Sequence, residues 1–215
     1  GMRTGGFNIH IIKTIISNQR ICHSDNDMDI ESTSPHTLGF IVKELCDDPS
    51  NWRCSIKPDD YFNKYGIVGI KDIDTRSLTQ HLRSFGSMYG IISTQCHEQD
   101  ILMEKITEYK KIKRNLVDEV STKEIYHLPG TGKKVAVMDF GIKQNLLYSL
   151  SRRNCDVYIF PHTVSPQDIL AAGPDGILLS SGPGDPRDLP DSVKSIKALL
   201  GQKPIMGIGL GHQLL

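Results

Sequence analysis

The second half of the chain alternates short apolar runs with segments whose apolar positions recur at helical spacing. The apolar runs have the length of buried strands and fall at residues 133–139, 156–160, 176–180 and 204–208. The intervening segments favour short helices at 143–153, 166–172 and 191–200. Strands that alternate with helices form βαβ units, so the pattern predicts an α/β fold with a parallel sheet.

The first half has a less regular pattern. It favours helices at 58–64, 75–85 and 104–114, a strand at 88–93, and either a strand or a helix at 37–46. Lys residues dominate the last of these helices, which we expect to present a solvated face. Residues 115–133 are expected to connect two domains. The sequence thus predicts a mixed β/α domain at 1–125 and the parallel-sheet domain at 126–215.

Two glycine-rich turns follow the third and fourth predicted strands of the second half, at 181–186 and 207–211. Ligands of open parallel sheets bind beyond the carboxyl ends of the strands, so we expect both turns at that edge, which we call the rim. Residues 204–215, PIMGIGLGHQLL, also have the strand–turn–helix layout of a nucleophile elbow. Its apex is Gly209, which has no side chain, and we expect a positive φ there.

The composition argues against several classes of function. Lys plus Arg and Asp plus Glu each number 25, so the net charge is zero and nothing favours a nucleic-acid partner. A run of about 18 apolar residues is absent, so the sequence predicts no transmembrane helix and no membrane partner. The cysteines form no metal-site pattern, and we expect free thiols in a cytoplasmic protein. They are Cys22, Cys46, Cys54, Cys96 and Cys155.

The motif SGPGDP at 181–186, followed by GIGLGHQLL at 207–215, resembles the class I glutamine amidotransferases. Further stretches are similar to the small, glutamine-hydrolysing subunit of carbamoyl-phosphate synthase: GFIVKELCDDPSNWR at 39–53, YGIVGIKDIDTRSLTQHLRSFGSMYGII at 65–92 and DFGIKQN at 139–145. The resemblance covers residues 38–215, whereas the stretch up to Ser34 matches poorly. Either turn alone would suit a glycine–proline loop of an ordinary flavodoxin-like domain, but their order and spacing favour the family.

The resemblance implies a set of site residues. In the family, a Cys at the elbow attacks the side-chain amide of glutamine and forms a thioester, while a His aligned by a Glu transfers protons. Gly209 occupies the position of that Cys. By resemblance, the N–H groups of Gly182 and Leu210 would hold the oxyanion, and Gly182, Gly184, Leu210 and Gln213 would bind glutamine.

This sequence departs from the family at the apex, because Gly209 cannot form a thioester and the resemblance therefore implies an inactive glutaminase. The His and Glu of the family lie beyond Leu215, so we expect an amidotransferase domain truncated after the elbow and catalytically incomplete. His212 follows the elbow on a helix and is expected to face away, while Cys155 precedes a strand at the edge opposite the rim. The absent elements would leave apolar surface exposed, so we expect poor solubility or dependence on a partner.

The resemblance also implies a partner. In the family, the small subunit passes ammonia to a large synthetase subunit, which binds ATP and Mg, in arginine and pyrimidine biosynthesis. We therefore expect a heterodimer with that large subunit, glutamine as ligand, and no cofactor or metal on this chain. The alternative is a non-catalytic pseudo-amidotransferase, or a regulatory partner of a synthetase that uses free ammonia.

Overall fold

The structure is a computed structural model that describes residues 9–11, 14–17, 35–45, 56–86, 88–112 and 115–215. The chain divides into two compact units, Gly1–Lys113 and Arg114–Leu215. The segment up to Ser34, for which the sequence predicts a poor family match, lies almost wholly outside the described residues, as do residues 46–53 of the similar stretch 39–53. No helix among the described residues is long and apolar enough to cross a membrane.

Within its described residues, the first unit combines two small sheets with three helices, which confirms the predicted mixture. Its strands are β1 (Ile9–Ile11), β2 (Thr14–Ser17), β3 (Gly39–Val42), β4 (Val68–Ile70) and β5 (Ile91–Ser93). Its helices are α1 (Pro58–Tyr65), α2 (Thr75–Phe85) and α3 (Gln99–Lys110). Strands β2, β3 and β4 form a parallel sheet, and β1 pairs with β5 in antiparallel orientation. The ambiguous segment at 37–46 therefore contains a strand.

Local capping explains where the helices of this unit begin and end. Pro58 occupies the first turn of α1, where its missing N–H costs no hydrogen bond, and Gly66 ends that helix with a φ of 65°. The Asp74 carboxylate accepts a hydrogen bond from the Ser77 N–H, 3.0 Å away, at the start of α2. Gly86 follows α2, as the pattern predicts.

The second unit is built on a five-stranded sheet in the order β10-β9-β7-β8-β6. The strands are β6 (Tyr126–Leu128), β7 (Lys134–Asp139), β8 (Asp156–Pro161), β9 (Gly176–Leu179) and β10 (Ile205–Gly207). The helices are α4 (Leu116–Val120), α5 (Gln144–Ser151), α6 (Pro166–Ala171), α7 (Pro190–Leu199) and α8 (Leu210–Leu214). Strands β7 to β10 are parallel and β6 is antiparallel to β8, so the predicted α/β parallel sheet is confirmed.

Apolar side chains pack on both faces of this sheet. One cluster contains Met138 and Leu179 with helix residues such as Ile196, and the other contains Val137 and Ile159. Successive side chains of a strand point to opposite faces, so β7 needs apolar residues at consecutive positions. Each such side chain, fully buried, contributes about 1.5–3 kcal/mol. This double burial explains the near-continuous apolar runs in the sequence.

The segment 115–133 is not the simple connection that the sequence predicts. It forms α4 and β6, and the Val117 side chain is only 1% exposed within the core of the second unit. The compact unit accordingly begins at Arg114. The boundary at 125/126 between the two family domains stays a prediction.

Free thiols are confirmed for the cysteines that the structure describes. Cys96 and Cys155 are free and partly buried. Cys22, Cys46 and Cys54 lie outside the described residues. Cys155 immediately precedes β8, at the edge of the sheet opposite the rim.

Candidate functional site

The two glycine-rich turns lie side by side at the rim, because they follow the neighbouring parallel strands β9 and β10. The Ile208 N–H donates a hydrogen bond to the Leu179 carbonyl oxygen, 3.0 Å away. The Gly211 N–H donates to the Ser180 carbonyl oxygen at 3.1 Å. These bonds run between the end of β9 and the turn after β10, as the sequence predicts.

Gly209 forms the apex of a sharp turn between β10 and α8. Its backbone has φ 55° and ψ −116°, a region open almost only to glycine. The Gly209 carbonyl oxygen accepts hydrogen bonds from the N–H groups of His212 and Gln213, at 3.1 and 3.2 Å, which closes the first turn of α8. The positive φ expected at the apex is therefore present.

The three glycines of the elbow tolerate a side chain very differently. A methyl group built on Gly207 would lie 2.6 Å from the Gly211 carbonyl oxygen, and one on Gly211 would lie 2.3 Å from the Leu179 carbonyl oxygen. At Gly209 the nearest atom is the Ser181 Cβ, 3.3 Å away. Of these three glycines, only Gly209 could take a Cβ without meeting backbone at a forbidden distance; that Cβ would be tight against Ser181 and would point toward the SGPGDP turn.

The predicted oxyanion donors are the N–H groups of Gly182 and Leu210. These residues directly follow Ser181 and Gly209, whose contact is described above. A methyl group on Gly182 would lie 2.1 Å from the Phe140 carbonyl oxygen, so only glycine fits there. Leu210 is 4% exposed and is the first residue of α8, where the end of a helix favours negative charge. Within residues 115–215, no hydrogen-bond acceptor is assigned to either N–H.

The remaining predicted residues are accessible at the rim. Gly184 has a φ of 94° and is exposed, and Gln213 is exposed on α8. His212 is exposed beside it, and a catalytic role for it has no support in its contacts within the described residues. No group of three or more His, Cys, Asp or Glu in the described part of the chain could hold a metal ion.

The loop after β7 supports the Gly182 turn through the Asp139 carboxylate. This group is 4% exposed and accepts hydrogen bonds from the Gly141 and Ile142 N–H groups, both at 2.8 Å, and from the Thr122 N–H at 2.7 Å. The Phe140 N–H also donates to the Ser180 Oγ at 2.9 Å. The rim thus contains a third loop. The sequence indicated this loop only through the similarity of its own stretch DFGIKQN, at 139–145, to the amidotransferase family.

Helix α4 borders the same turns, and sequence reasoning missed it. A methyl group built on Gly141 would lie 2.8 Å from the Val120 Cγ2, and one on Gly184 would lie 3.8 Å from the Leu116 Cβ. The signal for the helix was Asn115, whose side-chain oxygen accepts a hydrogen bond from the Val117 N–H at 3.1 Å. A single capping residue before five helical positions is too weak a pattern to recognise in advance.

The acidic residue of the SGPGDP turn is held in its ionised form. The Asp185 carboxylate accepts hydrogen bonds from the Arg187 side chain, at 2.6 and 3.0 Å, and from the Arg187 N–H at 2.9 Å. The side-chain bonds contribute most, followed by the backbone bond, and together they lower the pKa of Asp185 to about 2. The turn therefore keeps its charge throughout the physiological pH range.

Comparison with known proteins gives two family matches. Residues 9–92 match the carbamoyl-phosphate synthase small chain, CPSase domain, and residues 136–215 match the class-I glutamine amidotransferases.

Individual relatives agree with these matches. The pyrimidine-specific small chain of carbamoyl phosphate synthase from Bacillus subtilis is 41% identical over 189 residues, which cover 88% of this chain and 52% of the relative. The small chain from Clostridium acetobutylicum is 41% identical over 207 residues, 96% of this chain and 58% of the relative. The small chain from Syntrophotalea carbinolica is 46% identical over 206 residues, which cover 88% of this chain and 55% of the relative. The chain spans little more than half the length of these relatives.

Replacing Gly211 by alanine tests the contact between α8 and β9. Alanine favours a helix over glycine by about 1 kcal/mol, but the clash with the Leu179 backbone should cost more, so we expect a net loss of about 1–2 kcal/mol in unfolding free energy. Gly176→Ala is the control, because its new methyl group would lie 3.6 Å from the Pro204 carbonyl oxygen, an ordinary contact. Urea denaturation measures both variants, and equal midpoints would contradict the contact.

The Arg187→Ala variant tests the cause of the low pKa at Asp185. We expect the pKa to rise from about 2 toward the ordinary 3.8, while staying below it because the residue 187 N–H still donates. Any stability from this pair is present above the ordinary pKa and is lost as the pH falls toward 2, and it is small because the pair is exposed. Titration of the Asp185 carboxyl carbon by NMR measures the shift; an unchanged pKa would exclude the Arg187 side chain as its cause.

Proposed function

We propose, since this chain belongs to the carbamoyl-phosphate synthase small-chain family, that it binds glutamine at the rim as part of a glutamine-dependent carbamoyl-phosphate synthase. The observation that carries this proposal is the elbow, in which Gly209 has the backbone conformation of a nucleophile position and faces the SGPGDP turn.

Glutamine would be held mainly by backbone groups. The unpaired N–H groups of Gly182 and Leu210 suit the side-chain carbonyl oxygen, and they would hold the same oxygen more strongly once it carried negative charge. Gly184 lets the chain approach the ligand closely, and the Gln213 amide offers a donor and an acceptor to its amino-acid end. These groups need no metal or cofactor on this chain.

Hydrolysis would require an additional atom. A thiolate at the apex attacks the amide carbon of glutamine, ammonia leaves after accepting a proton, and water then cleaves the thioester to glutamate. Gly209 has no atom beyond its Cα that could form this bond. Loss of a covalent nucleophile removes a factor of about 10⁴ or more in rate, so we propose that this chain does not hydrolyse glutamine.

The proposed partner is a large synthetase subunit that binds ATP and Mg and uses ammonia to make carbamoyl phosphate. Two of the similar small chains are named as pyrimidine-specific, and we propose pyrimidine or arginine biosynthesis as the setting. We also propose a heterodimer in the cytoplasm.

A non-catalytic role is the second candidate, and Gly209 is the observation that favours it. A residue with a side chain at this φ would store about 1–3 kcal/mol of strain, whereas glycine adopts it at little cost. The turn therefore survives without its chemistry, as expected for a pseudo-amidotransferase or a regulatory partner of an ammonia-using synthetase.

Isothermal titration with glutamine, together with an assay for released ammonia, tests two proposals on the unchanged chain. These are that it binds glutamine at the rim and that it does not hydrolyse it. We expect saturable binding without ammonia release above a buffer control, because the ligand groups are present and the nucleophile is absent. Ammonia turnover would refute the proposed inactivity. Absence of binding would refute the glutamine site.

The Gly209→Cys variant tests whether the apex is a nucleophile position. We expect its thiol to react with a glutamine-shaped chloroketone, because position 209 accepts a Cβ and points at the SGPGDP turn. Mass spectrometry should find the label on residue 209 in this variant and on no residue of the unchanged chain, which has all five native cysteines. Gly209→Ala is the matched control, since it adds the Cβ without the sulfur. Equal labelling of all three proteins would contradict the assignment.

A further inference from the structure

We propose that His162 is a positioning residue for the rim: it holds α4 against the turns that present Gly182 and Gly184, and so sets the affinity for glutamine. The glutamine part of this inference rests on the proposed function. The structural part, the dependence of the rim turns on His162 through α4, can be measured without glutamine.

His162 follows β8 at the rim and is 6% exposed. Its Nε2 lies 2.7 Å from the Asp118 Oδ1 of α4. An ionised carboxylate can only accept, so Nε2 carries the proton of this bond. The His162 N–H also donates to the Ser121 Oγ, 3.2 Å away, directly after α4. One residue therefore holds the helix at two points.

The ring itself is held from the other side by α7. Its Nδ1 lies 3.3 Å from the Ser192 Oγ, and that hydroxyl also donates to the His162 carbonyl oxygen at 3.2 Å. The Phe140 ring, in the loop after β7, lies 6.2 Å away between centroids. These contacts restrict the ring to one orientation, which is the orientation that reaches Asp118.

The opposite side of α4 faces the rim turns. Leu116 and Val120 are one helical turn apart and lie next to Gly184 and Gly141, at the distances given above. Gly141 in turn adjoins the Gly182 turn, since a methyl group built on it would lie 3.5 Å from the Gly182 Cα. Displacement of α4 would therefore remove a direct neighbour of Gly184, and it would affect Gly182 only through Gly141.

Helix α4 depends on such anchors because it is too short to persist alone. It has five residues, and an isolated helix of this length does not form in water. Val117 anchors it in the core, while Asp118 anchors it to His162. The Asp118 side chain is 54% exposed, so its removal leaves no cavity but deprives the buried His162 of its acceptor.

The experiment compares Asp118→Ala with a matched break of another His–Asp pair. The control is His127→Ala, because the His127 Nε2 lies 2.6 Å from the Asp156 Oδ1 at the opposite end of β8. For Asp118→Ala we expect the glutamine Kd to rise about tenfold, the size of effect expected of one lost positioning contact. Amide hydrogen exchange in residues 181–186 should also become faster. For His127→Ala we expect neither change, whatever its effect on Tm.

Two further variants separate positioning from simple destabilisation. Asp118→Asn keeps an oxygen that accepts from Nε2 and should restore most of the glutamine affinity. Val120→Ala leaves the His162 pair intact but removes the Cγ2 atom that lies next to Gly141, and it should also raise the Kd.

The possible outcomes distinguish this inference from the proposed function. If the unchanged chain binds no glutamine, the proposed function fails, while the hydrogen-exchange comparison still decides whether His162 holds the rim. If Asp118→Ala leaves both the Kd and the exchange of 181–186 unchanged, the inference is wrong. It is equally wrong if His127→Ala has the same effects, because the changes would then reflect global stability.

Discussion

The close contact between α8 and β9 determines the geometry of the rim. Gly211 lies so near the Leu179 backbone that no Cβ fits between them, and Gly207 lies equally near Gly211. These two glycines bring the helix down onto the end of the neighbouring strand and force the chain between them into a sharp turn. The positive φ of Gly209 and its position at the apex follow from that approach.

The other rim loops are arranged around this turn by buried polar groups. The Asp139 carboxylate joins the loop after β7 to the segment after α4, and Ser180 joins the same loop to the end of β9. Each group satisfies backbone donors that would otherwise be buried without partners, and leaving one unpaired costs about 1–3 kcal/mol. The rim therefore depends on a polar network at the edge of an otherwise apolar core.

The elbow separates two properties that usually occur together. The turn depends on backbone packing at positions 207 and 211, whereas its chemistry would depend on a side chain at position 209. Glycine at the apex keeps the first property and removes the second. The same turn can consequently serve a hydrolase or a binding protein, and the side chain at the apex decides between them.

The sequence by itself determined the four parallel strands of the second unit, the helices between them and the position of the elbow, because apolar periodicity, proline, glycine and capping residues act within a few positions along the chain. Ser165 and Pro166 show this, since the Ser165 Oγ accepts from the Asp168 N–H at 3.2 Å where α6 begins. It also placed Gly182, Gly184, Gly209, Leu210 and Gln213 at one edge, through motif and strand order. Only the tertiary structure decided that residues 115–133 pack on the second unit and that His162 meets Asp118. His162 and Asp118 are 44 positions apart in the sequence. No local pattern specifies which distant side chains will meet once the sheet has formed.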